Sequence, residues 1–218
     1  MSTFNTEAIV LAKLPLFEAD RQYILYTPGY GKLEARVKSA ALSSSKLAGS
    51  LEPISLALVM IARGKTRETV AGAQLIKRFN FDNLAHFGQL GLIRELFLKL
   101  VPREVPEAAL YNNLSAYLNA LEKCSETHLA RFLTVRFIWQ MLRILGYGLD
   151  FPGYFKQPLD KNFSSSGQAL FKSCFNSGRS SSAVSGSALA EVENFTKAQL
   201  LGFLERDLFS YKFLPSTV

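Results

Sequence analysis

Arg21, Lys32, Arg36, Lys38 and Lys46, followed by Arg63, Lys65 and Arg67, are the side chains of this 218-residue chain best suited to chemistry, and that chemistry is binding of polyanions. Lysine and arginine neutralise phosphates and release their counterions, which needs only a local excess of positive charge. That excess exists. Residues 1–79 carry eleven Lys/Arg against six Asp/Glu, whereas residues 80–158 carry eight against seven and residues 159–218 six against five. Most of the formal net charge of +7 therefore lies in the first third, where a nucleic-acid surface is to be sought. Tyr23, Tyr26 and Tyr30 are interleaved with these cations and are candidates for stacking on bases. Lys77 and Arg78 add two more cations further on.

Catalytic signals are absent. His86 and His128 are the only histidines, which leaves little general-base chemistry to assign. Gly64-Lys65-Thr66 resembles the end of a phosphate-binding loop, but that motif needs a glycine at position 59, which is valine. Gly29-Tyr30-Gly31 reads as a turn between strands rather than a dinucleotide loop opening a helix. The two cysteines, Cys124 and Cys174, form no framework and read as reduced thiols, as in a cytoplasmic protein. Cys124 and His128 are four apart, which would put them on one helical face, and they read as a buried thiol and a surface histidine. The first residues lack a basic segment followed by an apolar one, so no signal peptide is expected. The longest uncharged stretch, Ala108–Leu121, is too short and too polar to span a bilayer, so no membrane association is expected.

A second polar set lies further along. Arg136, Gln140 and Arg143 fall at i, i+4 and i+7 on one face of an otherwise apolar segment. Their types suit a partner's carboxylates, because arginine can bind a carboxylate through two parallel hydrogen bonds. Phe132, Leu133 and Phe137 are the apolar residues expected to line a groove beside them. A solvent-facing edge with internal ion pairs is the competing reading.

These side chains need elements to hold them. Glu7–Leu14, Gln22–Thr27, Lys32–Lys38, Ile54–Ile61 and Val70–Phe79 are short apolar or alternating runs separated by Pro, Gly and Ser, and they read as five strands. Thr27-Pro28-Gly29-Tyr30-Gly31 makes a tight turn and Arg63-Gly64-Lys65-Thr66 a second hairpin tip. Five strands in about 75 residues suit a small closed barrel, of which the OB-fold is the commonest kind. After Phe81 the period becomes helical. Leu84 to Val101 form a first helix with Asn83 as a cap, ended by Pro102, and Pro106 opens the next at its first position. A third, about Thr127–Leu145, is apolar nearly all round and thus central, with Gly146 as its stop. Residues 164–187 hold ten serines and read as loop, with a short buried insert around Leu170–Phe175. Glu191–Phe195 and Ala198–Phe213 return to helix. The class is α+β: a nucleic-acid-binding barrel over residues 1–80 and an all-α partner-binding domain over 81–218.

Short signals in a fixed order carry a family resemblance. They are Asp20-Arg21 before a strand, Thr27-Pro28-Gly29-Tyr30-Gly31-Lys32, the basic strand Arg36-Val37-Lys38, and Lys46-Leu47-Ala48-Gly49 with Leu51-Glu52-Pro53. Leu145-Gly146-Tyr147-Gly148 follows at the end of an apolar helix. Together these resemble RecO, the bacterial DNA-repair and recombination mediator. The resemblance implies an N-terminal OB-fold, a helical domain and no enzymatic activity. It implies binding of single- and double-stranded DNA, strand annealing, and work with RecR to load RecA on strands coated by single-stranded-DNA-binding protein. In the family, an arginine at the position of Arg136 lies near a pocket for that protein's C-terminal tail.

The chain departs from the family in two places. Ala40-Ala41-Leu42-Ser43-Ser44-Ser45 stands where RecO proteins usually carry arginines, and Arg63, Lys65, Arg67, Lys77 and Arg78 are the cations placed to compensate. Many RecO proteins hold zinc with four cysteines, a first pair at about residues 150–154 and a second near Cys174. Only Cys174 is present here, so neither metal nor other cofactor is expected. A protein-interaction adaptor with little DNA affinity and an OB-fold RNA binder remain alternatives.

Overall fold

The computed structural model of the chain describes residues 2–43, 45–81, 83–147, 163–176, 185–204, 208 and 210. They divide into two compact units, Met1–Asn80 with Val101–Ser115, and Phe81–Leu100 with Ala116–Val218.

The first unit is a closed barrel, and its long first strand explains the closure. β1 (Thr3–Pro15) pairs antiparallel with β4 (Ser55–Arg63) through residues 3–9 and with β2 (Arg21–Thr27) through residues 9–15. A bulge between Val10 and Ala12 lets one strand bend between two partners. β3 (Gly31–Val37) continues antiparallel from β2, and β5 (Glu68–Arg78) from β4. The ring closes in the order β1-β2-β3-β5-β4 through a short parallel seam, Ala35↔Glu68 and Arg36↔Thr69. This is the expected five-stranded barrel with OB-fold connectivity.

Period-two alternation places Ala8, Val10, Tyr23, Leu25, Leu33, Ala35, Val37, Ala57, Val59 and Ile61 inside. The outer sides of Ile9, Leu11, Ile24 and Tyr26 are buried too. Residues from Val101–Ser115 contribute to that cover. The Tyr111 hydroxyl donates to Glu7 Oε2 (3.4 Å), the Tyr26 hydroxyl to the Glu107 carbonyl (3.4 Å), and the two rings lie 6.4 Å apart. Burial, with Glu7 beside it, pushes the Tyr111 hydroxyl up to about 12. Gly31 makes the approach of this segment feasible. Its φ of +67° suits glycine, and a Cβ there would overlap the Val105 carbonyl. Lys32 forms a parallel bridge with Arg103 and accepts at its carbonyl from Glu104 N–H (3.0 Å), so the free first half of β3 gains a partner.

Six helices are described. α1 (Lys46–Ser50) is a single turn capped by Ser45. α2 (Leu84–Leu100) starts where Asn83 Oδ1 accepts from Ala85 N–H (2.9 Å). α3 (Ala108–Glu122) differs from expectation at its start. Pro106 lies before the helix, and Glu107 caps it by accepting from Ala109 N–H (3.1 Å). Cys124 then falls in the connection, where its thiol donates to the Glu126 carbonyl (3.3 Å), so it shares no helical face with His128.

α4 (Thr127–Ile144) is central to the second unit, as its composition predicts: nine of its residues are buried. It ends where Gly146 N–H donates to Arg143 and Tyr147 N–H to Leu142, with Gly146 at φ +75°. Trp139 is fully buried, donates to Thr196 Oγ1 (2.9 Å) and packs edge-on to Phe171 and face-on to Phe195.

The serine-rich stretch is partly helix rather than loop. α5 (Ser165–Ser173) begins where Ser164 Oγ accepts from Gly167 N–H (3.1 Å), and its Phe171 is buried against Trp139. Serine in that position is a cap, which composition alone does not separate from a loop residue. α6 (Gly186–Leu204) is likewise one helix, where two were expected. Residues 150–154, 177–184 and 211–213, on which several expectations fall, lie outside the described residues. Among the described residues no helix is long and apolar enough to cross a membrane.

Candidate nucleic-acid interface

Two loops meet at the β3–β5 seam of the barrel: the β1–β2 loop, residues 16–20, and the β4–β5 hairpin tip, residues 64–67. Between them lies a cleft of about 580 Å³ whose walls include Gln22, Glu34, Arg36, Arg63, Lys65, Arg67, Glu68, Arg103 and Glu104. Alternation produces this wall. Leu33, Ala35 and Val37 of β3 face the core, so Glu34 and Arg36 face out. This end of the barrel, with the outward faces of strands two and three, is where OB-folds take oligonucleotides.

Five cations line the cleft, and three of them are held by carboxylates. Arg36 binds Asp20 through Nε (2.6 Å) and Nη2, and Arg103 meets Glu34 at 2.8 Å, which also accepts from Gln22 Nε2 (2.5 Å). Arg63 lies 3.5 Å from Glu68. Asp20 accepts from Ser39 N–H (2.8 Å) as well, and that bond together with Arg36 holds its carboxyl below the usual range. Burial, with repulsion from Glu104, pushes the Glu68 carboxyl up, against Arg63. Lys65 and Arg67, exposed at the hairpin tip, make no ion pair among the described residues.

The β1–β2 loop carries an exposed aromatic. Phe17 is 57% exposed, and the guanidinium carbons of Arg36 and Arg67 lie 5.5 and 5.7 Å from its ring centre. Arg21 staples the loop, its Nη1 donating to the carbonyls of Phe17 (3.3 Å), Glu18 (3.5 Å) and Asp20 (2.8 Å).

The predicted residues separate accordingly. Arg36, Arg63, Lys65 and Arg67 come together around the cleft, and Arg21 shapes the loop beside it. Lys38 is exposed just past β3. Lys32 does not serve: it is 5% exposed, and burial pulls its ammonium below the usual range. Tyr23 and Tyr26 are fully buried and offer no stacking surface. Tyr30 packs on Phe4 at 4.0 Å, with Arg63 over both rings. Lys77 and Arg78 lie at the far end of the β4–β5 ladder from the hairpin tip, so they do not supplement this cleft. Arg78 there donates to the Gly49 carbonyl (3.2 Å), near exposed Lys46. Gln22 and Arg103 of the cleft, and Phe17 on the loop beside it, were missed by the sequence reading. Only Phe17 carried a signal, as a large apolar residue in a polar turn.

On α4, Arg136 donates to the Asn176 carbonyl (2.9 Å) and Gln140 to the Cys174 carbonyl (3.2 Å), holding the chain that leaves α5. Arg143 is exposed. Phe132 and Phe137 are buried, Phe137 against Phe97 and Tyr117, so they line no groove. Cys174 is buried, which pushes its thiol up to about 12.

Residues 1–79 match the family model described as recombination protein O N terminal, and residues 84–203 match recombination protein O C terminal. The chain is 34% identical over 146 residues to a DNA repair protein RecO of Dehalococcoides mccartyi, covering 66% of this chain and 56% of that protein. It is 30% identical over 224 residues to that of Thermodesulfovibrio yellowstonii, covering 96% and 86%. With that of Geobacter metallireducens the identity is 29% over 203 residues, covering 87% and 79%. The matched stretch is thus just over half the length of the Dehalococcoides relative.

Proposed function

The chain belongs to the recombination protein O family, and from that premise we propose that it is a non-enzymatic, cytoplasmic DNA-binding and strand-annealing mediator of recombinational DNA repair. The observation that supports this reading best is the cation-lined cleft at the loop end of a closed OB barrel. Single- and double-stranded DNA would lie along it. Phosphates pair with Lys65 and Arg67, and the repulsion between two strands falls as their charge is neutralised. The helical unit recruits protein partners: RecR, and the acidic tail of single-stranded-DNA-binding protein on the face of α4 that bears Arg136, Gln140 and exposed Arg143. RecA loading follows from bringing strand and partners together.

Titration of single-stranded DNA at several salt concentrations tests the cleft. The double variant Lys65→Ala, Arg67→Ala should bind more weakly, with a slope of log affinity against log salt shallower by about 1–2. An unchanged slope would move the DNA elsewhere on the surface.

One observation favours a second reading, an adaptor with little DNA affinity. Three of the cleft's five cations are already ion-paired, and residues 40–43 supply none. A wild-type protein that ignores DNA yet binds an acidic-tail peptide would select it.

A further inference from the structure

Phe17 stands out among the large apolar side chains left in solvent, because it is the one set in a loop beside the cleft and flanked by cations that line it. Phe4, the phenylalanine of β1, packs on Tyr30 and against the barrel core, whereas the Phe17 ring is 57% exposed. It is not simply loose. Arg21 donates to three carbonyls of residues 17–20, including that of Phe17, and the loop's end is fixed by Asp20, whose carboxylate is bound by Arg36 and Ser39 N–H. The side chain is held out by a braced backbone.

We propose that Phe17 is the base-stacking residue of the interface and that it selects unpaired over paired strands. The assignment rests on the nucleic-acid reading of the cleft and deepens it. An exposed ring offers an apolar π-face, which every base can use when it is unstacked from its neighbours. The guanidinium groups of Arg36 and Arg67 lie over this ring and supply what accompanies a base, Arg67 a cation for the phosphate and Arg36, held by Asp20, a second planar group to extend the stack. Bases inside a duplex are already stacked on both faces, so a duplex gains from the cations and not from the ring. Tyr23, Tyr26 and Tyr30 leave this role open, two being buried and the third packed on Phe4.

Binding of an oligothymidylate and of a blunt duplex by the full chain, followed by fluorescence anisotropy, tests this. Phe17→Ala and Phe17→Leu should each weaken single-strand binding about tenfold, while duplex binding and the salt slope stay within about twofold of wild type. The leucine variant keeps apolar area without a π-face, so it separates stacking from simple burial. Phe17→Trp should retain affinity, and its indole should be quenched on addition of the oligonucleotide against the silent background of buried Trp139, the only native tryptophan. Single-strand affinity unchanged in the alanine and leucine variants, or lost equally for both DNA forms, overturns the assignment. If Lys65→Ala, Arg67→Ala weakens binding and Phe17→Ala does not, the cleft stands and only the stacking role falls. If wild type binds neither DNA form, both fall together.

Discussion

At the scale of single residues, Asp20 does more to organise the interface than the cations around it. Its carboxylate fixes Arg36 against the cleft wall and accepts from Ser39 N–H, tying the β1–β2 loop to the chain leaving β3. Those bonds to the charged form hold its carboxyl below the usual range. A depressed carboxyl contributes stability that is present above its unfolded value, near 3.9, and is lost as pH falls through the folded value. Asp20→Asn should therefore unfold at lower urea than wild type at neutral pH, and the gap should close as pH falls below about 4. A gap that stays constant down to acid pH would mean that the carboxylate charge is not what Arg36 and Ser39 read. The Asp20-Arg21 pair was legible in the sequence as a signal, but its work was not. Sequence spacing cannot show that one of the pair neutralises a cation from the next strand while the other caps a loop. The same limit hid the tyrosines. Tyr23 and Tyr26 differ by three, so they face opposite sides of one strand, and both sides of this strand are covered.

At the scale of elements, what was legible follows from periodicity, and what was not follows from packing beyond the element. All five strands and both hairpin turns could be read from alternation and from Pro and Gly positions. Several ends extend further than expected, because ladder partners continue the strand where side-chain pattern fades: β1 runs from Thr3 although its first residues alternate only weakly, whereas β3, β4 and β5 each stop one residue short of one expected end. The serine-rich segment failed for the opposite reason. Its local composition favours loop, but Phe171, Phe175 and Phe195 pack around Trp139, with Phe163 on Phe171 and Phe195, and draw Ser165–Ser173 into a helix. Nor could sequence show that a segment after α2 lies beside Gly31. That contact yields a test of the turn. Gly31→Ala forces a left-handed backbone on a residue with a Cβ, about 1–3 kcal/mol, and drives that Cβ into the Val105 carbonyl. Loss of at least that much in urea unfolding is expected. A near-neutral result would mean that residues 101–107 leave the edge of β3 readily.

At the scale of the whole molecule, net charge and usable charge are different quantities. The sequence has a formal +7, and that excess was the first guide to an interface. Yet the cleft's five cations share it with Glu34, Glu68 and Glu104, and Asp20 holds Arg36 from beside it. A guanidinium already neutralised by a carboxylate has little net charge left to neutralise a phosphate, so it displaces few of the DNA's condensed counterions and adds little to the salt dependence of binding. Single-stranded DNA gives a slope near −0.7 for each phosphate neutralised, so five independent cations would give about −3.5 and two, Lys65 and Arg67, about −1.4. The wild-type chain should fall near the shallower value. Affinities for an oligothymidylate measured across several salt concentrations at neutral pH decide between them. A slope near −3.5 would mean that DNA displaces the carboxylates and takes the arginines from them, an exchange of ion pairs rather than an addition of new ones. In that case Glu34→Gln and Glu68→Gln should tighten binding without steepening the slope, since the arginines they release are already counted in it.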